Sequence, residues 1–414
     1  MVTIAIVADD LTGALDTAAR WTHFGLRTVV MLTDAALPDT PALAIHTASR
    51  TATAGQAYAR AKIAGQRLRD RYVYKKVDST LRGNIGAEVD GLLDGLGLQT
   101  ALLAPAFPAA GRTVQGGILH VRGVPLAETE FSQDSQCPAR ESHVPTLVAR
   151  QTQRTVGHLP LEIVAQGEDA IRQALHDCPA QLIIADAVET KHLYALARAA
   201  THMEQPWLCC GSAGLAEGWF QALGCGLPAA RPFCWARQAG PVLVVAGSRH
   251  PATARQLHQA QESRGLRLVC LAPGEAATAS RHRLGEGEGR AQWSQASRML
   301  AHGRHVALTT TFSPYQAGRE VGAARYLARA AARVCATVRV LGLILTGGDT
   351  ADAVCTALGM TGVEVVGEVQ PGIPAAQGIG GQGEGLRLVT KAGAFGDEQA
   401  IVRSIDFIRG VRES

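Results

Sequence analysis

Short, almost uninterrupted apolar runs recur along this 414-residue chain, each too brief for a helix and most followed by a segment with helical periodicity. In the first half the runs lie at 3–7, 28–32, 43–46, 72–77 and 100–104, with helical segments at 11–23, 53–70 and 85–93. A strand that is apolar on both faces needs cover on both faces, and intervening helices supply it, so the pattern predicts parallel sheets. Runs at 182–185 and 207–210 add strands, with helices at 190–202 and 214–222, while 107–160 is less regular and reads as antiparallel strands or a flap. The stretch 224–241 is punctuated by Pro and Gly without periodicity and reads as a linker, taken as 226–240. A second alternation follows, with strands at 242–246, 266–271, 305–310, 340–345, 363–369 and 386–390 and helices at 251–263, 315–334, 350–358 and 398–408. The expectation is an α/β protein: two α/β domains, 1–225 and 241–414, with mostly parallel sheets facing a central cleft.

Composition removes several function classes. Apolar residues make up 47% and charged residues 18%, which excludes a disordered chain. A net charge of +4, from 40 basic and 36 acidic residues, is too balanced for nucleic acid or an anionic membrane as the main partner. No apolar run is long enough for a membrane span, and the N-terminus MVTIAIVADD lacks the basic start of a signal peptide, so a cytoplasmic location is expected. Nine scattered cysteines without a CxxC pair suggest neither a disulfide framework nor structural zinc. Lysine is rare here (Lys62, Lys75, Lys76, Lys191, Lys391), so a lysine inside a motif stands out against the arginines.

In open parallel sheets ligands bind beyond the carboxyl ends of strands. In the first half these positions hold Asp9, Asp10 and Thr12, then Arg50, then Lys75, Lys76, Asp78, Ser79, Thr80, Arg82 and Asn84. Carboxylates to accept from hydroxyls and cations to hold a carboxylate suit a small polyhydroxylated anion. Plainer roles exist for some: Asp10 or Thr12 can cap the first helix, and Lys75 with Asp78 can be an ordinary ion pair. In the second half the strand ends read Ala246-Gly247-Ser248, TGGDTA (346–351) and KAGAFGD (391–397). Glycine at such turns lets backbone N–H groups approach a phosphate at a helix N-terminus. No GxxxxGK[ST] occurs, and the GxGxxG at 378–383 leads into a strand and reads as a flexible loop. Cys209 and Cys210 read as core, His46 as structural, and no histidines show metal-ligand spacing.

Six motifs in order, ADDLTGALDTA (8–18), KKVDSTLRGNIGAE (75–88), APAFPAAGRTVQGG (104–117), AGS (246–248), TGGDTA (346–351) and TKAGAFGD (390–397), resemble the four-carbon acid sugar kinase family, which includes kinases of 3-oxo-tetronate, D-threonate and D-erythronate. The resemblance runs from about residue 2 to 409. It implies ATP-dependent phosphorylation of a terminal (C4) hydroxyl, with Mg²⁺ beside the nucleotide. It also implies a sugar-acid substrate, no nucleic-acid or membrane partner, and leaves homo-oligomerisation open. The family's substrate side falls on Asp9, Arg50, Lys76, Asp78, Ser79 and Arg82, joined from the strand-end reading by Asp10 and Thr80. Its nucleotide side falls on Ser248, the turn Gly347, Gly348, Asp349 and Thr350, and Gly393, and its metal ligands stay unassigned. Arg50 or Arg82 is expected to fork the substrate carboxylate. The base is to be chosen among Asp9, Asp10 and Asp78. Neighbouring side chains on a strand point apart and Asp10 lies nearer the helix start, so Asp9 is expected as base or hydroxyl-orienting group. Two other readings remain open. A nicotinamide-dependent hydroxy-acid dehydrogenase would need an early GxGxxG, and a non-catalytic small-anion binder would not need the glycine turns. Loops 270–290 and 371–387 fit no signature and leave the acid unspecified.

Overall fold

The structure, a computed structural model, describes residues 3–134, 137–225, 233–271, 290–312 and 320–411. The chain divides into two compact units, Met1–Thr28 with Pro38–Ala230, and Val29–Leu37 with Arg231–Ser414. Up to residue 225 the strands are β1 (Ile4–Ala8), β2 (Thr28–Met31), β3 (Ala42–His46), β4 (Tyr72–Lys76), β5 (Ala101–Ala104), β6 (Arg112–Gln115), β7 (Ile118–Val121), β8 (Val124–Pro125), β9 (Val156–Leu159), β10 (Leu182–Ala185) and β11 (Leu208–Gly211).

The first unit's main sheet runs β3-β1-β4-β11-β5-β10-β9, with every pair parallel. Every residue of β1, β5 and β10 is buried, the result of helices on both faces. Helix Leu11–Thr22 packs on Ala213–Ala222 through Trp21, whose ring lies 6.3 Å from Trp219 and 5.6 Å from Phe220. That contact fixes the helix that starts directly after Asp10. The irregular region holds a small antiparallel sheet, β6-β7-β8.

Helices Ala54–Arg67 and Ile85–Leu96 approach closely because glycines face each other. A Cβ at Gly91 would overlap the Tyr58 carbonyl, and one at Gly65 would sit 3.0 Å from the Leu92 carbonyl. Gly91→Ala should therefore destabilise by about 1–3 kcal/mol, against a helix-propensity gain of about 1 kcal/mol for Ala. Urea unfolding with an unchanged slope would report it, and an equal or higher midpoint would rule out the close-approach argument.

The second unit contains β12 (Val242–Ala246), β13 (Arg267–Cys270), β14 (Val306–Thr309), β15 (Gly342–Thr346), β16 (Gly362–Gln370), β17 (Ile373–Ile379) and β18 (Arg387–Lys391). Its order is β13-β14-β12-β15-β18-β17-β16-β2, parallel from β13 to β18 and antiparallel around β17. Here the structure departs from the expected 1–225 domain: β2 belongs to this unit, beside β16, and the Leu32 N–H donates to Thr361 O at 3.0 Å. An apolar run predicts a strand but carries no information about which sheet takes it up.

Residues 226–232 of the expected linker and 272–289 of the 270–290 loop lie outside the described residues, as do 313–319 at the start of the expected 315–334 helix, which is described as Glu320–Thr337. The rest of the linker has no regular structure, yet Trp235 is held edge-on between Phe233 and Phe407, at 5.4 and 5.3 Å. The 371–387 segment is not a flexible loop. It forms β17 and a tight turn, with Pro374 beside a register shift that accommodates its missing N–H. Gly378 packs so closely on the Gly383 carbonyl that no side chain fits. Helices Glu168–Asp177 and Arg290–Ala301 are elements that the sequence reading did not assign.

Candidate active site

Loops leaving the carboxyl ends of β3, β1 and β4 bring the first unit's polar residues together. Arg50 donates from Nε to Asp9 Oδ2 at 2.7 Å, and from one terminal nitrogen to Asp9 Oδ1 at 3.1 Å and Asp10 Oδ1 at 2.9 Å. The same guanidinium lies 3.9 Å from Asp78. Asp10 also accepts from the Gly13 N–H at 3.0 Å, so Asp10 rather than Thr12 caps helix Leu11–Thr22. Asp78 accepts from Arg82 Nε at 2.7 Å and from the Thr80 hydroxyl at 2.6 Å, while Arg82 also reaches Asp134 at 3.1 Å. Carboxylates and guanidinia thus alternate along the strand edge.

This alternation decides the charge states. Burial pushes the Asp9 carboxyl up, but Arg50 and Lys75 outweigh it and hold the group below its ordinary value. Burial likewise opposes ionisation of Asp78, and Arg82 and Arg50 beside it hold it well below the usual carboxylate range. Both are acceptors with fixed negative charge.

Consecutive lysines on β4 point to opposite faces and take different roles. Lys75 Nζ lies 2.7 Å from Glu88 Oε2 and donates to the Lys76 carbonyl at 2.8 Å, and Ser49 donates its hydroxyl to Glu88. Lys75 therefore pairs with Glu88, not with Asp78. Lys76 Nζ donates to the Val77 carbonyl at 2.7 Å and forms no ion pair among the described residues. Ser79 is half-buried, and its hydroxyl has no hydrogen bond among the described residues. The expectation that Arg50 or Arg82 forks the substrate carboxylate meets a structure in which both forks engage protein carboxylates. Lys76, which meets only the Val77 carbonyl, and Ser79 keep donor capacity at this edge.

Two loop residues carry strain. Ala48 (φ 49°) and Leu81 (φ 57°) are left-handed without being glycine. Asn84 steadies this turn by donating to the carbonyls of Ser49 and Ala52 at 3.0 and 2.9 Å. Gly83 (φ +97°) lies against Asp9 and Arg50. Sequence reasoning did not assign Glu88 or Arg112. Glu88 sits in a first helical turn, where an acidic residue reads as a dipole partner. The Arg112 Nε is buried with no hydrogen bond among the described residues, and the guanidinium lies 5.9 Å from the Phe131 ring.

In the second unit, strand ends align in register: Thr309 opposite Ala246, Ala246 opposite Thr346, and Thr346 opposite Lys391. The turns beyond them interlock. Gly347 (φ +100°) caps helix Gly348–Ala357 without a side-chain bond and donates to the Lys391 carbonyl at 3.0 Å. A Cβ at Gly247 would overlap the Thr350 hydroxyl, and one at Gly393 would overlap Ser248 Oγ, so both glycines are required by contact. Asp349 stands exposed in the helix's first turn. Sequence reasoning also missed Thr309 and Thr311, whose hydroxyls donate to the carbonyls of Ala246 and Ser248 at 3.0 and 2.8 Å.

A family model for a sugar-binding N-terminal domain matches residues 4–219, and one for a nucleotide-binding C-terminal domain matches 243–401. The D-threonate kinase of Bordetella bronchiseptica is 36% identical, across 98% of this chain and 97% of that one. The chain belongs to the four-carbon acid sugar kinase family. A 3-oxo-tetronate kinase of Brucella melitensis is 30% identical, across 95% of this chain and 93% of its own. A crystal structure from Salmonella typhimurium LT2, given the provisional name of a tRNA synthase, superposes with a TM-score of 0.79 at 25% identity, covering 98% of this chain and 99% of that one. The dehydrogenase and anion-binder readings find no support among the kinase relatives. No helix among the described residues is long and apolar enough to cross a membrane.

Proposed function

We propose that this chain transfers the γ-phosphoryl group of ATP to the C4 hydroxyl of a four-carbon sugar acid, with D-threonate first among the candidates. The observation that carries this reading is the pair of chemically distinct strand-end sites: a charged edge in the sugar-binding unit and a glycine-and-hydroxyl edge in the nucleotide-binding unit. D-threonate leads because the D-threonate kinase is more similar to this chain than the 3-oxo-tetronate kinase, at 36% against 30%.

In the first unit, Lys76 and Ser79 supply donors for the acid's carboxylate, and Asp9 and Asp78 accept from its hydroxyls. Arg50 and Arg82, with Asp10 and Thr80, hold those carboxylates in place. Transfer requires the C4 hydroxyl in line with the γ-phosphorus. The bond from γ-phosphorus to the β-bridging oxygen breaks, the bond to the C4 oxygen forms, and ADP departs. Asp9 orients that hydroxyl and takes its proton late, when the phosphorylated oxygen has become acidic enough for a weak base.

In the second unit, the backbone N–H groups of Gly348 and Gly393 would face the phosphates, the Gly347 N–H being spent on the Lys391 carbonyl, and the Ser248 and Thr350 hydroxyls buttress the turns. Mg²⁺ bound with the nucleotide would supply charge neutralisation, and Asp349 would be the carboxylate to hold it, since Mg²⁺ takes one or two carboxylates together with phosphate oxygens. Among the described residues no group of three or more His, Cys, Asp and Glu forms a metal site of its own. We place the reaction in the cytoplasm, where ATP is made and the nine unpaired cysteines would persist.

Incubation with ATP, Mg²⁺ and each of D-threonate, D-erythronate and 3-oxo-tetronate tests the proposal, read as kcat/KM for ADP formation. D-threonate should give the highest value. A higher value for another acid reassigns the substrate, and no stimulated ADP formation with any acid ends the kinase reading for this chain.

A further inference from the structure

The ammonium of Lys391 sits in an unusual place. The side chain is buried, with 1% of the residue exposed, at the carboxyl end of β18. Its Nζ donates only to the carbonyls of Ala392 and Gly393, at 3.1 and 3.2 Å, and no ion pair to it exists among the described residues. Lys75, the other fully buried lysine, is neutralised by Glu88 at 2.7 Å. A buried cation without a carboxylate is costly to keep, so its retention calls for a ligand that supplies the missing charge.

The surroundings identify the sign and kind of that ligand. Around Lys391 the glycine turns of β12, β15 and β18 meet: Gly347 donates to the Lys391 carbonyl, and Thr253 donates to the Gly393 carbonyl at 3.2 Å. Gly393 lies against Ser248. Helix Gly348–Ala357 begins here with no side-chain cap, leaving its first N–H groups for an anion. We propose that Lys391 is a phosphate ligand of the nucleotide site, its ammonium turning from the two carbonyls to the phosphate oxygens of bound ATP. The proposal rests on the kinase reading and adds to it the cation that the glycine turns lack.

The groups facing this loop bear on its titration. Helix Pro251–Arg264 presents Thr253, Gln256 and the cap His250, β15 presents Thr346, and helix Gly348–Ala357 presents Asp349 and Thr350. Arg403 of helix Ala400–Ile408 is tied to Asp397. None of these pairs with Lys391, and burial pulls its ammonium down to about 8. Phosphate binding favours the protonated form, so ATP affinity should be full below that value and fall above it.

The test is equilibrium binding of MgATP, of tripolyphosphate and of adenosine to the full chain, for the wild type, Lys391→Met and Lys391→Arg, across about pH 6.5–9.5. Lys391→Met should weaken MgATP and tripolyphosphate by about 10- to 100-fold, leave adenosine unchanged and flatten the pH dependence. Lys391→Arg should retain binding at high pH. The melting temperature of Lys391→Met without ligand should equal or exceed the wild type, whereas a lysine kept only to satisfy two carbonyls would give a lower one. MgATP binding within threefold of wild type in Lys391→Met, or an equal loss for adenosine, overturns the proposal. Should that variant fail to fold, a flat pH dependence of wild-type binding overturns it equally. Wild-type protein that binds tripolyphosphate through Lys391 but not ATP would defeat the kinase reading and leave this site standing, while binding of neither defeats both.

Discussion

Asp9→Asn is expected to lower kcat by about 10²–10⁴-fold, with a smaller change in the KM of the acid. The substitution keeps the side chain's size and removes only its charge, so it tests orientation and proton acceptance rather than shape. Arg50 retains Asp10 at 2.9 Å and Asp78 at 3.9 Å, which limits the loss of stability to about 1–3 kcal/mol, the range for charge-assisted bonds. Asp10→Asn is the control. Asn also caps helices well, so this variant should lose no more than about 1 kcal/mol and keep most of its turnover. The lowered value of Asp9 adds a pH signature. A carboxylate whose folded value lies below its unfolded one contributes stability that is complete above the unfolded value, 3.8, and is lost as pH falls through the folded one. The wild type should therefore show no acid limb in kcat near neutrality from Asp9, and Asp9→Asn should blunt the loss of stability below about pH 4. A kcat within tenfold of wild type, or the larger loss in Asp10→Asn, would move the role to Asp10.

The reach of the sequence can be judged at individual residues. Strands such as β1 and β10 were legible because residues buried on both faces leave an unbroken apolar run, and the strand ends then located the polar clusters. The Asp10 cap was narrowed to two candidates because a helix start needs a side-chain acceptor and only Asp10 and Thr12 stood near enough. What periodicity does not encode is partnership. The run that became β2 is equally apolar in either sheet, and only tertiary pairing with β16 placed it in the second unit. Partnership also governs the charges: Arg50 and Arg82 look like free forks in the sequence, yet each meets a protein carboxylate brought from another loop or from four residues earlier. Thr309 and Thr311 escaped notice because a run of threonines after a strand has no phosphate signature until the register places it beside Ala246 and Ser248.

The two lysines of β4 put that limit to an experiment, because one residue of offset separates a structural cation from the one proposed to meet the acid. Lys75→Met should destabilise the protein by about 3–5 kcal/mol, since it leaves Glu88 as a buried carboxylate with no cation. Adding Glu88→Leu should recover most of that loss, because removing both charges removes the desolvation penalty along with the attraction. The pH dependence gives a second signature. Burial already holds Glu88 above its ordinary value, and without Lys75 it should rise further. A carboxyl raised in the folded state makes stability grow as pH falls, so Lys75→Met should be more stable near pH 5 than near pH 8 in urea unfolding. Lys76→Met should behave in the opposite way. With no ion pair among the described residues and only the Val77 carbonyl to lose, it should cost about 1 kcal/mol, well below the loss in Lys75→Met, yet weaken binding of the acid by about 10- to 100-fold and leave ATP binding unchanged. If Lys75→Met instead folds with wild-type stability and loses the acid, the pair with Glu88 is dispensable and Lys75 is the cation that the substrate meets.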